Sequence, residues 1–150
     1  MQKLAVTVAL EHFTAAFSHA CLEMGAMQDA DPAVAALWES HSVEELEHKS
    51  TCFDVYARLG GRHRTRVRAL QRAWLLIIAL TFWNTFDMLR DCGRLLDIAD
   101  HAKGAWFLFG PRGLFMRMAR DLLAYLRSDF HPWDVDDTSF IVAFDRLHTA

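Results

Sequence analysis

The sequence contains few of the residues that break helices or cross-link chains. Proline occurs three times and glycine seven times in 150 residues, so the sequence predicts long helices. The three cysteines, Cys21, Cys52 and Cys92, lie far apart and form no C-x-x-C pair. That spacing argues against a zinc ribbon or a redox dithiol and favours free thiols in a reducing cytosol.

Long apolar runs are also missing. The run from Ala73 to Trp83 has eleven residues, whereas a membrane-spanning helix needs about 20. Met1 leads directly into an amphipathic pattern and not into a charged-then-apolar leader. These features predict a cytoplasmic protein that could associate with a membrane only at its surface.

What is present suits one packed domain. The chain is 53% hydrophobic and 23% charged, a balance that can bury a core and does not indicate disorder. Its length fits one domain. The sequence therefore predicts a single helical domain over residues 1–150.

The net charge of −3 conceals an uneven distribution. The balance is −7 over residues 1–57, +8 over residues 58–127 and −4 over residues 128–150. The basic block includes an arginine-rich stretch that leads into the apolar run, and the region from Arg62 to Trp83 is therefore a candidate for peripheral contact with anionic lipid. The other interpretation is a solvated face. No nucleic-acid-binding motif occurs, so no nucleic-acid partner is expected.

The positions of glycine, proline and helix-capping residues predict where the helices begin and end. The first covers residues 2–24 and ends near Gly25; the second begins at Asp31-Pro32 and runs without a breaker to about Leu59. A helix through the apolar run is expected to continue to about Ile98. The stretch from Gly104 to Gly113 is expected to be a loop or a broken turn. Residues 114–127 are expected to form a helix and residues 130–134 a turn, and a short helix is expected to close the chain.

The most informative segment lies in the second predicted helix. His41, Glu45 and His48 are spaced i, i+4, i+7, which places them on one helical face. The Glu-x-x-His spacing is the one by which helical bundles hold di-iron or di-manganese centres. Glu11 lies within the preceding, nearly uncharged helix, where a carboxylate is costly unless it is paired or bound to metal. The alternative is an acidic, solvated helix with scattered histidines.

Three other groups of polar residues are weaker candidates. His12 points about 100° away from Glu11 around the helix, which favours a packing or hydrogen-bonding role. Asp54 could orient a ligand imidazole or simply be exposed. The group around His131, with Asp134, Asp136 and Asp137, looks like a metal cluster, but an Asp-rich turn with proline is usually only a turn.

Four motifs occur in a fixed order along the chain. They are Ala-Leu-Glu-His-Phe-Thr-Ala (9–15), Leu-Trp-x-x-His-x-x-Glu-Glu-x-Glu-His-Lys (37–49), Phe-Asp-Val-Tyr (53–56) and Phe-His-Pro-Trp-Asp (130–134). The series resembles the bacterial family of predicted metal-dependent hydrolases over nearly the whole chain. It is also similar to ferritin-like di-iron N-oxygenases, whose last metal-binding helix carries His-x-x-x-Glu-x-x-His.

The resemblance implies an all-α, ferritin-like bundle with a metal site at Glu11, His41, Glu45 and His48. It implies a divalent metal, iron in the first place and manganese or zinc otherwise, and a small organic substrate. Family members usually carry an earlier Glu and a Gln-Glu-x-x-His-type motif. This chain is therefore expected to lack the front helices of the bundle and half of a dinuclear site, which a homodimer could complete.

Two chemistries and one non-catalytic role remain open. The family name implies hydrolysis by metal-activated water, whereas an iron centre of this kind would activate oxygen. The alternative is a helical interaction or membrane-surface module that has kept the family motifs without catalysis.

Overall fold

The computed structural model describes residues 1–148 and is all-α over that range. The all-α class predicted from the sequence is therefore confirmed. The helices, in chain order, are α1 Gln2–Met24, α2 Pro32–His48, α3 Thr51–Arg58, α4 His63–Asp91, α5 Ile98–Phe109, α6 Leu114–Ala124, a 3-10 helix Pro132–Asp134, and α7 Thr138–His148.

Helix α1 lies at the centre and contacts α2, α3, α4 and α6. Many of its buried side chains are alanines, such as Ala9, Ala16 and Ala20, and small side chains let the axes of neighbouring helices approach closely. The helix ends where Gly25 adopts a φ of 60° and donates its N–H to the carbonyl of Leu22 at 3.1 Å. The predicted span of residues 2–24 is confirmed.

The region predicted as one helix as far as Leu59 is two helices, α2 and α3, so that prediction is wrong. Its beginning is as expected. The Asp31 side chain accepts a hydrogen bond from the Ala33 N–H at 2.9 Å, and Pro32 occupies the first turn.

Contacts with residues far along the chain accompany the break between α2 and α3. Lys49 Nζ reaches the Val135 carbonyl at 2.6 Å and the Asp137 carboxylate at 2.5 Å. Ser50 Oγ accepts a hydrogen bond from Trp133 Nε1 at 3.0 Å. Nothing in the local sequence breaks a helix here, so the break could not be predicted from periodicity.

The α4–α5 region also differs from its prediction. Helix α4 ends at Asp91, before the expected Ile98, and Gly93 follows with a φ of 67°. Helix α5 runs through Gly104, where a loop was expected. A single helical glycine costs only about 1 kcal/mol, and the Asp97 side chain caps the first turn of α5. Within residues 1–148, no helix combines the length and the apolar composition that a membrane crossing requires.

Arg66 departs from the expectation that the arginine-rich start of α4 faces solvent or lipid. Its side chain is 3% exposed, and its guanidinium carbon lies 4.5 Å from the centroid of the Tyr125 ring and 5.5 Å from that of Phe130. Arg66 Nη2 donates to the Arg127 carbonyl at 2.7 Å. These contacts compensate part of the cost of burying the charge, so this arginine belongs to the core.

His12 is a buried member of the same core, as its predicted packing role requires. Its Nε2–H donates to the Asp121 carbonyl at 3.0 Å, and its ring stacks on Tyr125 with centroids 4.5 Å apart. Burial lowers the pKa of His12 to about 4, and the positive charges of Arg66 and Lys49 act in the same direction. His12 is therefore neutral in the folded protein at neutral pH.

We expect His12 to make folding stability depend on pH. Between pH 6.5 and about 4 the unfolded chain binds a proton on this residue and the folded chain does not, so the free energy of unfolding should fall by about 3 kcal/mol as pH is lowered through that window. Urea denaturation of wild type and His12→Gln across this range measures the effect. Glutamine keeps an N–H donor and does not titrate, so an equal pH slope in both proteins would contradict the prediction.

Candidate metal centre

Helix α2 presents the predicted metal-binding face toward a partly open surface. His41 and Glu45 are one turn apart, and His41 Nε2 lies 3.6 Å from Glu45 Oε1. The side chain of His41 is 56% exposed and that of Glu45 is 26% exposed, so solvent and small ions can reach the pair. His48, one turn further on, lies in the last turn of α2 and is exposed.

Helix α1 runs antiparallel to α2 and forms a hydrogen bond with a side chain on this face. The Thr14 hydroxyl donates to Glu45 Oε2 at 2.5 Å, which leaves Oε1 directed to His41. The backbone N–H of Cys52, in the first turn of α3, donates to Glu11 Oε2 at 3.0 Å. Later residues of α1 therefore meet earlier residues of the α2–α3 segment, so the two run antiparallel.

The carboxyl of Glu11 lies within electrostatic reach of the α2 face. Burial raises its pKa, and the negative charge of Glu45 raises it further, while the Cys52 N–H and the positive charge of His48 act in the opposite direction. The negative charge of Glu45 that raises the pKa of Glu11 would also favour a bound cation, since a cation relieves the same repulsion. The charges of Glu45 and His48 therefore both act on the pKa of Glu11.

The thiol of Cys52 is not a ready metal ligand here. Burial raises its pKa, and the adjacent Glu11 carboxylate raises it further. Metals bind thiolates and not thiols, so the donor atoms at this place are carboxylate oxygens and imidazole nitrogens.

The Phe-His-Pro-Trp-Asp turn holds the start of α3 and does not form a metal cluster. His131 Nε2 donates to Asp54 Oδ1 at 3.0 Å, and the His131 backbone N–H donates to Asp134 in a capping box. With the Trp133–Ser50 bond, these contacts fix the α2–α3 junction and the Cys52 N–H that positions Glu11. Asp54 therefore orients an imidazole, but this imidazole belongs to His131 in the turn and not to a predicted metal ligand.

A second group of charged residues is buried beside this junction. Lys49 and Asp137 are 3% and 2% exposed, and His19 Nδ1 contacts the other oxygen of Asp137. Burial opposes ionisation of Asp137, but the hydrogen bonds from His19 and Lys49 lower its pKa below the ordinary value. The bond to Asp137 raises the pKa of His19. A lysine ammonium in the cluster disfavours a metal cation there.

Residues 1–136 match the model of a family described as predicted metal-dependent hydrolase. The chain belongs to this family. No curated protein and no solved structure matches it. The matched range contains all four predicted ligands, and a metal-dependent family implies a divalent metal ion.

The four predicted ligands of this hydrolase-family chain are residue types that commonly bind divalent ions. Two carboxylates and two imidazoles are ligands that iron, manganese and zinc accept. The side chains do not form one ligand shell: within residues 1–146, whose side chains the structure describes, no group of three or more His, Cys, Asp or Glu side chains lies close enough together to hold an ion. The structure brings His41 and Glu45 together and leaves Glu11 and His48 in their neighbourhood.

Sequence reasoning missed two groups that position the site. Thr14 follows Glu11 by three residues, so a polar side chain on the same face of an otherwise apolar helix was the available signal. The Cys52 N–H had no signal, because a backbone donor becomes free only where a helix begins. The sequence predicts no helix start at that point.

Proposed function

We propose that this chain binds a divalent metal ion through Glu11, His41, Glu45 and His48 and takes part in metal-dependent chemistry on a small organic substrate. The observation that carries the proposal is the Glu45 carboxylate, held on one oxygen by Thr14 and facing His41 with the other. An exposed glutamate has no need of such support. A metal ligand does, because its orientation fixes the geometry of the ion.

The chain's own groups would prepare the site in two ways. Thr14 fixes the Glu45 carboxylate from behind, and the Cys52 N–H fixes one oxygen of Glu11. Metal binding by all four residues requires rotation of the Glu11 and His48 side chains toward the His41–Glu45 pair. Glu11, whose pKa is raised, would release its proton at a higher pH than an ordinary carboxyl, and a bound cation would favour that release.

Two chemistries fit these donors. A bound ion supplies Lewis-acid activation of water, and the family's description supports hydrolysis of this kind. The Glu-x-x-His spacing on α2 is the one that ferritin-like bundles use for di-iron centres, and it supports iron and oxygen activation as the second candidate.

Loading the protein with different metals separates the two. Protein reconstituted with zinc or manganese should hydrolyse a panel of small esters and amides without taking up oxygen if the first chemistry holds. Uptake of oxygen only by the iron-loaded protein, with no hydrolysis, would favour the second. Absence of binding by any of the three metals would exclude both.

We expect the chain to hold at most one metal ion. Two imidazoles and two carboxylates complete the shell of one ion, whereas two divalent ions about 3.5–4 Å apart need several bridging carboxylates to offset their repulsion. Elemental analysis of protein purified without chelator measures the ratio. Two tightly held ions per chain would show that further ligands exist.

A further inference from the structure

The outer face of α4 carries an apolar stripe that nothing in the described chain covers. The stripe consists of Leu75, Leu76, Ala79, Trp83 and Phe86, here called the α4 seam. These positions recur at three- and four-residue spacing, so they share one side of the helix. All five are exposed, and the opposite side of α4 is the one that packs against α1.

The exposed area of the seam is large for a single helix. Its leucines and aromatics are between 47% and 70% exposed, and Leu80 and Phe82 at its edges are 52% and 64% exposed. With about 150–250 Å² for an aromatic side chain and about the lower end of that range for leucine, the four large side chains of the seam together with Leu80 and Phe82 expose roughly 600 Å². A stable protein interface buries about 800 Å² from each partner. The seam and these two edge residues together therefore approach the size of one half of an interface.

Charges of opposite sign lie at the two ends of the seam. Arg68 and Arg72 precede it and are exposed. Asp87 and Asp91 follow it and share one cation, Arg90, at 3.4 and 3.3 Å. One negative charge is therefore in excess at the C-terminal end of α4, and two positive charges stand at the other end.

We propose that the α4 seam is the interface between two copies of this chain, packed antiparallel about a two-fold axis near Ala79. The inference is independent of the proposed metal site. An antiparallel pair brings the basic end of each helix to the acidic end of the other, so the same surface is complementary to itself. Self-complementarity is what a two-fold interface requires.

The register follows from the charges. An axis between Ala79 and Leu80 sets Arg72 opposite Asp87 of the second copy. Ala79, the smallest side chain of the seam, then lies at the crossing point, where the helices come closest. Leu76 lies opposite Trp83 of the second copy.

A lipid surface fits the same face less well. Basic residues beside apolar ones attract anionic lipid, but Asp87, which borders the seam, would then lie near headgroups with the same sign of charge. A second copy pairs this carboxylate with Arg72. The charge pattern thus favours a protein partner.

Sedimentation velocity of the full 150-residue chain over a wide range of concentration tests the proposal. We expect a species of twice the 17.2 kDa mass. Ala79→Glu should raise the dimer dissociation constant about tenfold or more, since it buries a charge at the centre of the interface. Ala102→Glu in α5 is the matched control, because it makes the same change at another exposed helical alanine and should leave dimerisation unchanged.

A charge reversal tests the register and does not touch the apolar residues. Arg72→Glu alone and Asp87→Arg alone should each weaken the dimer about tenfold, and the double variant should regain most of the loss, because it exchanges the two ends of one ion pair. A double variant no better than the worse single one would overturn the antiparallel register.

Two further outcomes would overturn the proposal as a whole. One is a monomer at every concentration, including one that sediments with anionic vesicles in a salt-sensitive manner, which would identify the seam as a lipid-binding surface. The other is a dimer that Ala79→Glu does not weaken, which would place the interface elsewhere.

Discussion

Glu45→Ala is expected to lower the affinity of this chain for a divalent metal about a hundredfold, because the proposed site would lose its best-positioned ligand. Changes to groups that only orient metal ligands typically cost about 10–100-fold, and removal of a ligand belongs at the upper end of that range. Glu45 is the carboxylate that Thr14 holds and that faces His41 at 3.6 Å. Titration with Co²⁺, followed by its visible absorption, measures the affinity and reports the ligand field.

The matched control for that experiment is Glu44→Ala. Glu44 is the adjacent residue, its side chain is 63% exposed, and it also lies near His41, with 4.0 Å between Glu44 Oε2 and His41 Nδ1. Both variants remove one negative charge from the same helix, so general electrostatic attraction falls equally. If both variants bound Co²⁺ as tightly as the wild type, the proposed ligand set would be wrong. If both lost the same affinity for Co²⁺, the negative charge of the helix and not a specific ligand would explain the binding.

Lys49→Met is expected to reduce the free energy of unfolding by about 3–5 kcal/mol, the usual cost of leaving one member of a buried ion pair without its partner. Lys49 is 3% exposed and its Nζ lies 2.5 Å from Asp137 Oδ2. Methionine keeps most of the chain length, so packing changes little. The loss arises because the Asp137 carboxylate loses its ammonium partner and, among the described side chains, keeps the hydrogen bond with His19. Urea denaturation at neutral pH measures it.

Two comparisons make that result specific. Arg127→Ala removes one partner of the exposed pair Arg127–Asp129, whose side chains are 55% and 71% exposed, and should leave the free energy of unfolding almost unchanged, because solvent screens an exposed ion pair. The double variant Lys49→Met with Asp137→Leu should recover part of the loss, since an apolar pair of similar volume carries no unpaired charge. A Lys49→Met protein as stable as the wild type would show that the Lys49–Asp137 contact does not stabilise the α2–α3 junction.

The parts of the fold that local chemistry controls were predictable from the sequence. Helix α1 ends at Gly25 because a left-handed residue terminates it, and α2 begins at Pro32 because Asp31 caps it. The all-α class followed from few breakers and helical periodicity. The α2–α3 break and the burial of Arg66 were not predictable, since each depends on partners more than sixty residues away.

The sequence by itself determined which chemistry the chain can offer. Helical geometry places His41, Glu45 and His48 on one face once α2 forms, because side chains three and four residues apart always lie on the same side. Only the tertiary structure decided what supports that face. Thr14 reaches Glu45 because α1 packs antiparallel to α2, and the Cys52 N–H reaches Glu11 because the Lys49–Asp137 contact and the turn at residues 130–134 hold the start of α3. Hydrogen bonds between distant segments depend on how helices pack, and periodicity carries no information about that.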